Sequence, residues 1–140
     1  MDTIVSLPAV FFAALAGFVL GAVWYGPLFG KPWMAMMGFT KDSMKNMSMK
    51  PAVAMALGFV AFLLMSYVLA HVLMFASAYD TGTSGVVSGL TGGFWCWLGF
   101  VLPVTAGVVL WEGKTWKLWV LNAGYYLVAL LLMGSILATF

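Results

Sequence analysis

Hydrophobic and polar positions fall along this chain in long blocks. Four stretches, residues 4–25, 51–77, 85–110 and 116–139, are almost free of charge. Each is long enough to cross a hydrocarbon core of ~30 Å as a helix. Residues 26–50 form the one substantial polar stretch, and Tyr79-Asp80-Thr81-Gly82-Thr83-Ser84 is a short polar turn. The pattern predicts an all-α membrane protein, a single domain of four transmembrane helices over residues 1–140.

Local chemistry marks the boundaries. Pro8 lies in the first turn of the first helix, where a missing N–H costs little. Trp24-Tyr25-Gly26-Pro27 closes that helix, aromatics at the interface followed by two breakers. Pro27, Gly30 and Pro32 are then expected to prevent a regular helix at the start of the polar stretch. Further on, Thr40 suits an N-cap and Asp42 a first turn, with Met44 and Met47 on one side and Lys41 and Lys45 on another. Residues 40–50 read either as a short interfacial helix between the first and second spans or as a loop. Pro51 suits the first position of the second helix, and Gly113 ends the third.

Small residues mark the faces expected to pack. Ala13, Gly17 and Gly21 are spaced by four on the first helix. On the third, Gly85, Gly89, Gly92, Cys96, Gly99, Pro103 and Gly107 recur every three or four residues and share one nearly bare face. Gly134 and Ala138 give a further pair on the fourth. Such faces let backbones come close, and in a bilayer packing rather than hydrophobicity drives association. The third helix is therefore expected to be the hub, bent at Pro103. The small faces of the first, third and fourth helices are also expected to join copies of the chain, or partner membrane subunits, into an oligomer.

Composition narrows the class. The chain is 64% hydrophobic and 7% charged, against roughly 25% charged for a soluble domain. The lipid bilayer is the expected solvent. Net charge is +2, from six lysines and no arginine. No basic stripe exists to hold phosphates, so nucleic acid is not an expected partner. One Cys and one His exclude an internal disulfide, a cysteine cluster and a multi-histidine site within one chain. Ala14-Leu15-Ala16 looks like a leader cleavage site, but only Asp2 and no Lys or Arg precedes the apolar run. The run is read as a membrane helix.

The lysines give direction. Lys31, Lys41, Lys45 and Lys50 lie between the first and second helices, and Lys114 and Lys117 between the third and fourth. All six fall on one side of a four-span topology. The positive-inside rule makes that side cytoplasmic and turns both termini outward. Trp24, Lys31, Trp33, Lys114 and Trp116 are the expected interfacial anchors. Gly30-Lys31-Pro32-Trp33 and Gly113-Lys114-Thr115-Trp116 share a pattern at one depth, either by convergent anchoring or as the relic of two hairpin repeats.

Few side chains invite chemistry. His71 is the one clear ionisable group within a span, roughly 9 Å below the outer interface, with Tyr67 one turn deeper on the same face. Asn122 lies in the opposite leaflet, and Glu112 at the end of the third helix, where the dipole disfavours an anion unless Lys31, Lys114 or Lys117 compensates it. Tyr67, His71, Glu112 and Asn122 are the candidate stations of a polar pathway for a proton, an ion or a small solute. The plain alternative for His71 and Asn122 is hydrogen bonding between helices. Trp95-Cys96-Trp97 sits near the bilayer centre, its two indoles on different sides. Met34, Met36, Met37, Met44, Met47 and Met49 admit a Cu(I) site, or simply the apolar side of an interfacial segment. No nucleophile has a paired base, and no glycine loop precedes a helix to cradle phosphate, so neither catalytic residues nor a cofactor is expected.

Trp24-Tyr25-x-Pro27-Leu28-Phe29-Gly30-Lys31-x-Trp33, with Glu112-Gly113, Asn122-Ala123-Gly124-Tyr125 and Met133-Gly134-x-Ile136-Leu137-Ala138, resembles the small bacterial membrane proteins grouped as domain of unknown function 1761. The resemblance covers nearly the whole chain and is least distinctive over residues 39–50. It implies a four-helix protein of the bacterial inner membrane and no particular activity. The expected role is that of a structural or accessory component, with an oligomeric channel and a copper protein as the alternatives.

Overall fold

A computed structural model describes residues 5–79 and 82–140 of the chain. Four helices are long and apolar enough to cross a membrane: Leu7–Leu28, Pro51–Tyr79, Gly85–Leu110 and Trp116–Thr139. No strand occurs among the described residues. The expected Ile4 start of the first helix, Asp2, and the Asp80-Thr81 part of the outer turn lie outside the described residues.

Capping side chains set the helix starts. Ser6 accepts from the Ala9 amide (3.3 Å) and Thr115 from the Leu118 amide (3.2 Å). Thr40 and Ser43 form a reciprocal capping box that starts a short helix at Lys41–Lys45, shorter than the 40–50 segment foreseen. A left-handed Gly113 (φ 71°) follows the third span and lets the Lys114 amide return to the Val108 carbonyl (3.1 Å).

The prolines act differently from expectation. Gly30–Met37 is helical, although Pro27, Gly30 and Pro32 were expected to prevent it. Pro32 stands in the first turn, where no intrahelical acceptor awaits its N–H. Pro27 is absorbed in a π-turn over Trp24–Leu28, closed by the Phe29 amide on the Trp24 carbonyl (2.8 Å). The third span has its own π-turn at Trp97–Val101, just ahead of Pro103, and a second break at Ala106. The extra residue in each π-turn absorbs the ladder mismatch that a proline creates. Thr105 Oγ1 satisfies carbonyls there, donating to Val101 (2.7 Å) and Leu102 (3.2 Å). The two Gly-Lys-x-Trp copies differ in conformation: Gly30 is helical and Gly113 is left-handed.

The hub is the fourth span, not the third. It packs extensively on both the first and the third, and buries Leu118, Ala123, Tyr125, Ala129, Leu130, Met133 and Gly134. The third buries only Gly89 and Gly93. The reason lies in the seams. Gly89 and Gly134 face each other so closely that a Cβ on either would collide with the other's carbonyl, and a Cβ at Gly93 would lie 2.6 Å from the Leu130 carbonyl. The first span lies against the fourth and the second, its Ala13 in one core with Leu69, Leu73, Leu130 and Met133. Of the four side-by-side pairs, first–second, first–fourth, third–fourth and second–third, the last touch least, so the four-helix arrangement has one loose seam.

Candidate functional site

The densest polar chemistry lies where the first span meets the fourth at the lysine-bearing end. Helical spacing brings Trp24 and Tyr25 opposite residues 121–125. Tyr25 donates its hydroxyl to Asn122 Oδ1 (2.7 Å), Trp24 Nε1 to the Leu121 carbonyl (3.2 Å), and Tyr125 its hydroxyl to the Gly17 carbonyl (2.9 Å). Tyr25 also meets Trp33 and Tyr125 edge-on, each at 5.2 Å between ring centres. Two more indoles tie the third span to the fourth: Trp97 Nε1 donates to the Ala123 carbonyl (2.8 Å) and Trp119 Nε1 to the Leu102 carbonyl (3.3 Å). Each bond satisfies a donor that hydrocarbon would leave unmet. The result is an aromatic collar that ties the first and third spans to the fourth.

Asn122 is thus committed to Tyr25. Trp24, expected as an interfacial anchor, is half-buried and bonded across helices, while Lys31 and Trp116 are exposed, Lys114 is half-buried and Trp33 packs between Tyr25 and Phe39. Glu112 is exposed, directly after the cap residue Trp111, and the described residues give it no lysine partner, so solvent or headgroups rather than an ion pair offset the dipole there. Met36 meets the other connection, accepting a weak bond from Thr115 at 3.9 Å, whereas Met44, Met47 and Met49 are exposed.

His71 and Tyr67 form a separate pair on the second span. His71 Nδ1 lies 2.8 Å from the Tyr67 carbonyl, and the two rings are 4.5 Å apart. Phe75 covers the other side at 6.4 Å. The second span turns Ser66, Leu69 and Leu73 into the bundle. At ~100° per residue, His71 points nearly the opposite way. Tyr67 and Phe75 beside it are exposed. The structure therefore brings Tyr67 to His71 and leaves both apart from Asn122 and Glu112.

The bare face of the third span divides. Gly89 and Gly92 meet the fourth and second spans, Gly92 through Leu73, while Gly85 and Gly99 face open space and Gly107 meets only Trp111 of its own span. Gly17 and Gly21 clear room for Met133, Phe62 and the Tyr125 ring. The small faces expected to join copies of the chain are thus largely spent inside it. Gly93 and Trp119 were not foreseen as packing residues, and Trp97 was expected to pack without a named acceptor. The Gly89-x-x-x-Gly93 spacing carried the signal for the first, and nothing in the sequence ties an indole to a particular carbonyl.

A family model described as "Protein of unknown function (DUF1761)" matches residues 8–138. No curated protein and no solved structure matches the chain.

Proposed function

The chain belongs to the family described as "Protein of unknown function (DUF1761)", and from that premise we propose a non-enzymatic accessory protein of the bacterial inner membrane that pairs with a second copy of itself through the outward face of its second span. The observation that carries this reading is the orientation of His71. A carbonyl only accepts, so the ring nitrogen beside the Tyr67 carbonyl holds a proton, and in the neutral ring Nε2 is a bare acceptor. On a lipid-facing surface an unmet polar atom costs a few kcal/mol. The Tyr67 hydroxyl lies on the same exposed face and is a donor.

Two copies about a two-fold axis along the membrane normal would exchange these groups, each Tyr67 hydroxyl donating to the other copy's His71 Nε2. Interhelical hydrogen bonds in membranes contribute about 0.6–1.7 kcal/mol each, so two of them change a dimer constant roughly tenfold or more. The test is a dimer dissociation constant measured by energy transfer in vesicles. Tyr67→Phe and His71→Phe should each weaken pairing roughly tenfold, and the double variant no further, because both remove the same bonds. A wild-type chain that stays monomeric at every protein-to-lipid ratio overturns the proposal.

A further inference from the structure

A graded trough runs along the loose seam between the second and third spans, and its mouth opens against the first and fourth as well. At the lysine-free end a cavity of about 460 Å³ lies among hydroxyls, Ser6, Ser77, Ser84 and Ser88 among them. A second, of about 270 Å³, adjoins it at Ser88 and Thr83 and carries Thr91, Gly92 and Trp95. A third, of about 360 Å³, adjoins the second at Val72 and Cys96, and only apolar side chains line it, from Leu64 to Phe100. Among the described residues no charged side chain lines any of the three. From Ser77 to Leu64 the second span rises ~20 Å, which exceeds one leaflet of a ~30 Å core.

We propose that this trough holds one hydrocarbon chain of a lipid with an uncharged, hydroxyl-bearing head, of the acylglycerol class, entering from the outer leaflet. Three observations point there. Polarity falls in one direction along the trough, as it does along such a molecule. Among the described residues the mouth offers hydroxyls and no cation, which suits a neutral head better than a phosphate. Width disfavours the rival occupant: a ~10 Å helix filling the same ~20 Å of length needs roughly 1,600 Å³, more than the three sections hold together. The walls are apolar and open, with Leu64 65%, Trp95 62% and Phe100 78% exposed. The π-turn at Trp97–Val101 interrupts the third span where the third cavity lies, and Gly99 within it meets nothing. Ser88 Oγ makes no hydrogen bond within the described residues and is half-buried at the junction of the first two cavities.

Cys96 supplies the test, because the one thiol of the chain is half-buried and lines two of the sections. The protein in phosphatidylcholine nanodiscs is titrated with dioleoylglycerol, and alkylation of Cys96 is timed. Saturable slowing of at least tenfold is expected, with dioleoylglycerol phosphate, the charged analogue, far less effective. In parallel, a diacylglycerol with a photoreactive chain end should label the walls near Val68 and Phe100. Ala76→Trp, which fills the middle section, should abolish both effects while helix content and melting stay unchanged. If Ala76→Trp unfolds the chain, Val72→Phe replaces it in the same assay. Labelling spread evenly around the bundle, equal protection by the charged analogue, or a Cys96–Cys96 cross-link between copies in place of lipid protection overturns the proposal.

Discussion

Gly89 and Gly99 occupy one predicted face with the same spacing, and the fold treats them oppositely. A Cβ at Gly89 would collide with the Gly134 carbonyl, a backbone atom that cannot rotate away, while one at Gly99 meets nothing within 4 Å. Gly89→Ala should therefore cost about 1–3 kcal/mol or more, since the third and fourth spans must separate to admit a methyl. Gly99→Ala removes a flexible residue at no steric expense and should be neutral or stabilising by up to about 1 kcal/mol. Denaturation in detergent micelles, followed by near-ultraviolet circular dichroism of the tryptophans, reads the difference. Equal losses for the two variants would mean that the glycines act as one continuous face. Sequence spacing placed both residues on a common stripe. It carried no information on which part of the stripe a partner reaches, because that depends on where the neighbouring helix crosses.

At the level of elements, the first and fourth spans are joined by a phenol set into a glycine face. A Cβ at Gly21 would lie 2.7 Å from the Tyr125 hydroxyl, and that hydroxyl donates to the Gly17 carbonyl. Gly21→Ala should push the ring off its acceptor and cost about 1–3 kcal/mol. Tyr125→Phe loses one hydrogen bond, about 1 kcal/mol, but frees the space. The double variant should therefore cost less than the two single losses added, and a thermal unfolding cycle measures that coupling. Strict additivity would place the two side chains in separate environments. The spans themselves were legible, because charge-free runs of this length have one solution in lipid. The capping hydroxyls of Thr40 and Thr115 sit where their chemistry suits a helix start, Thr40 foreseen and Thr115 not. The helix over Gly30–Met37 was not legible, since a proline breaks or starts a helix according to its position in the turn. The π-turns and the choice of hub escaped for a similar reason: both arise from how the elements meet.

For the whole molecule, the up-and-down order of the spans puts both lysine-bearing connections at one end, where Thr115 lies against Met36. The opposite end holds the hydroxyl-lined mouth of the trough. This asymmetry is the only directional charge signal the chain has, because neither terminus carries a lysine. Cytoplasmic retention of Lys and Arg predicts that the lysine end stays inside and that Thr139 faces out. In a Cys96→Ala background, Ser84→Cys should react with an impermeant maleimide on intact cells, and Ser43→Cys only after the membrane is opened. Neutralising Lys31, Lys41, Lys45 and Lys50 together with Gln leaves only Lys114 and Lys117 to set the bias, so part of the population should invert and both labels should become partial. The opposite labelling pattern in the unaltered background would place the mouth in the inner leaflet. The trough would then draw its lipid from the cytoplasmic side, with the grading of its walls unchanged. Orientation and ligand class are therefore independent, and the maleimide experiment decides which leaflet the seam serves whatever occupies it.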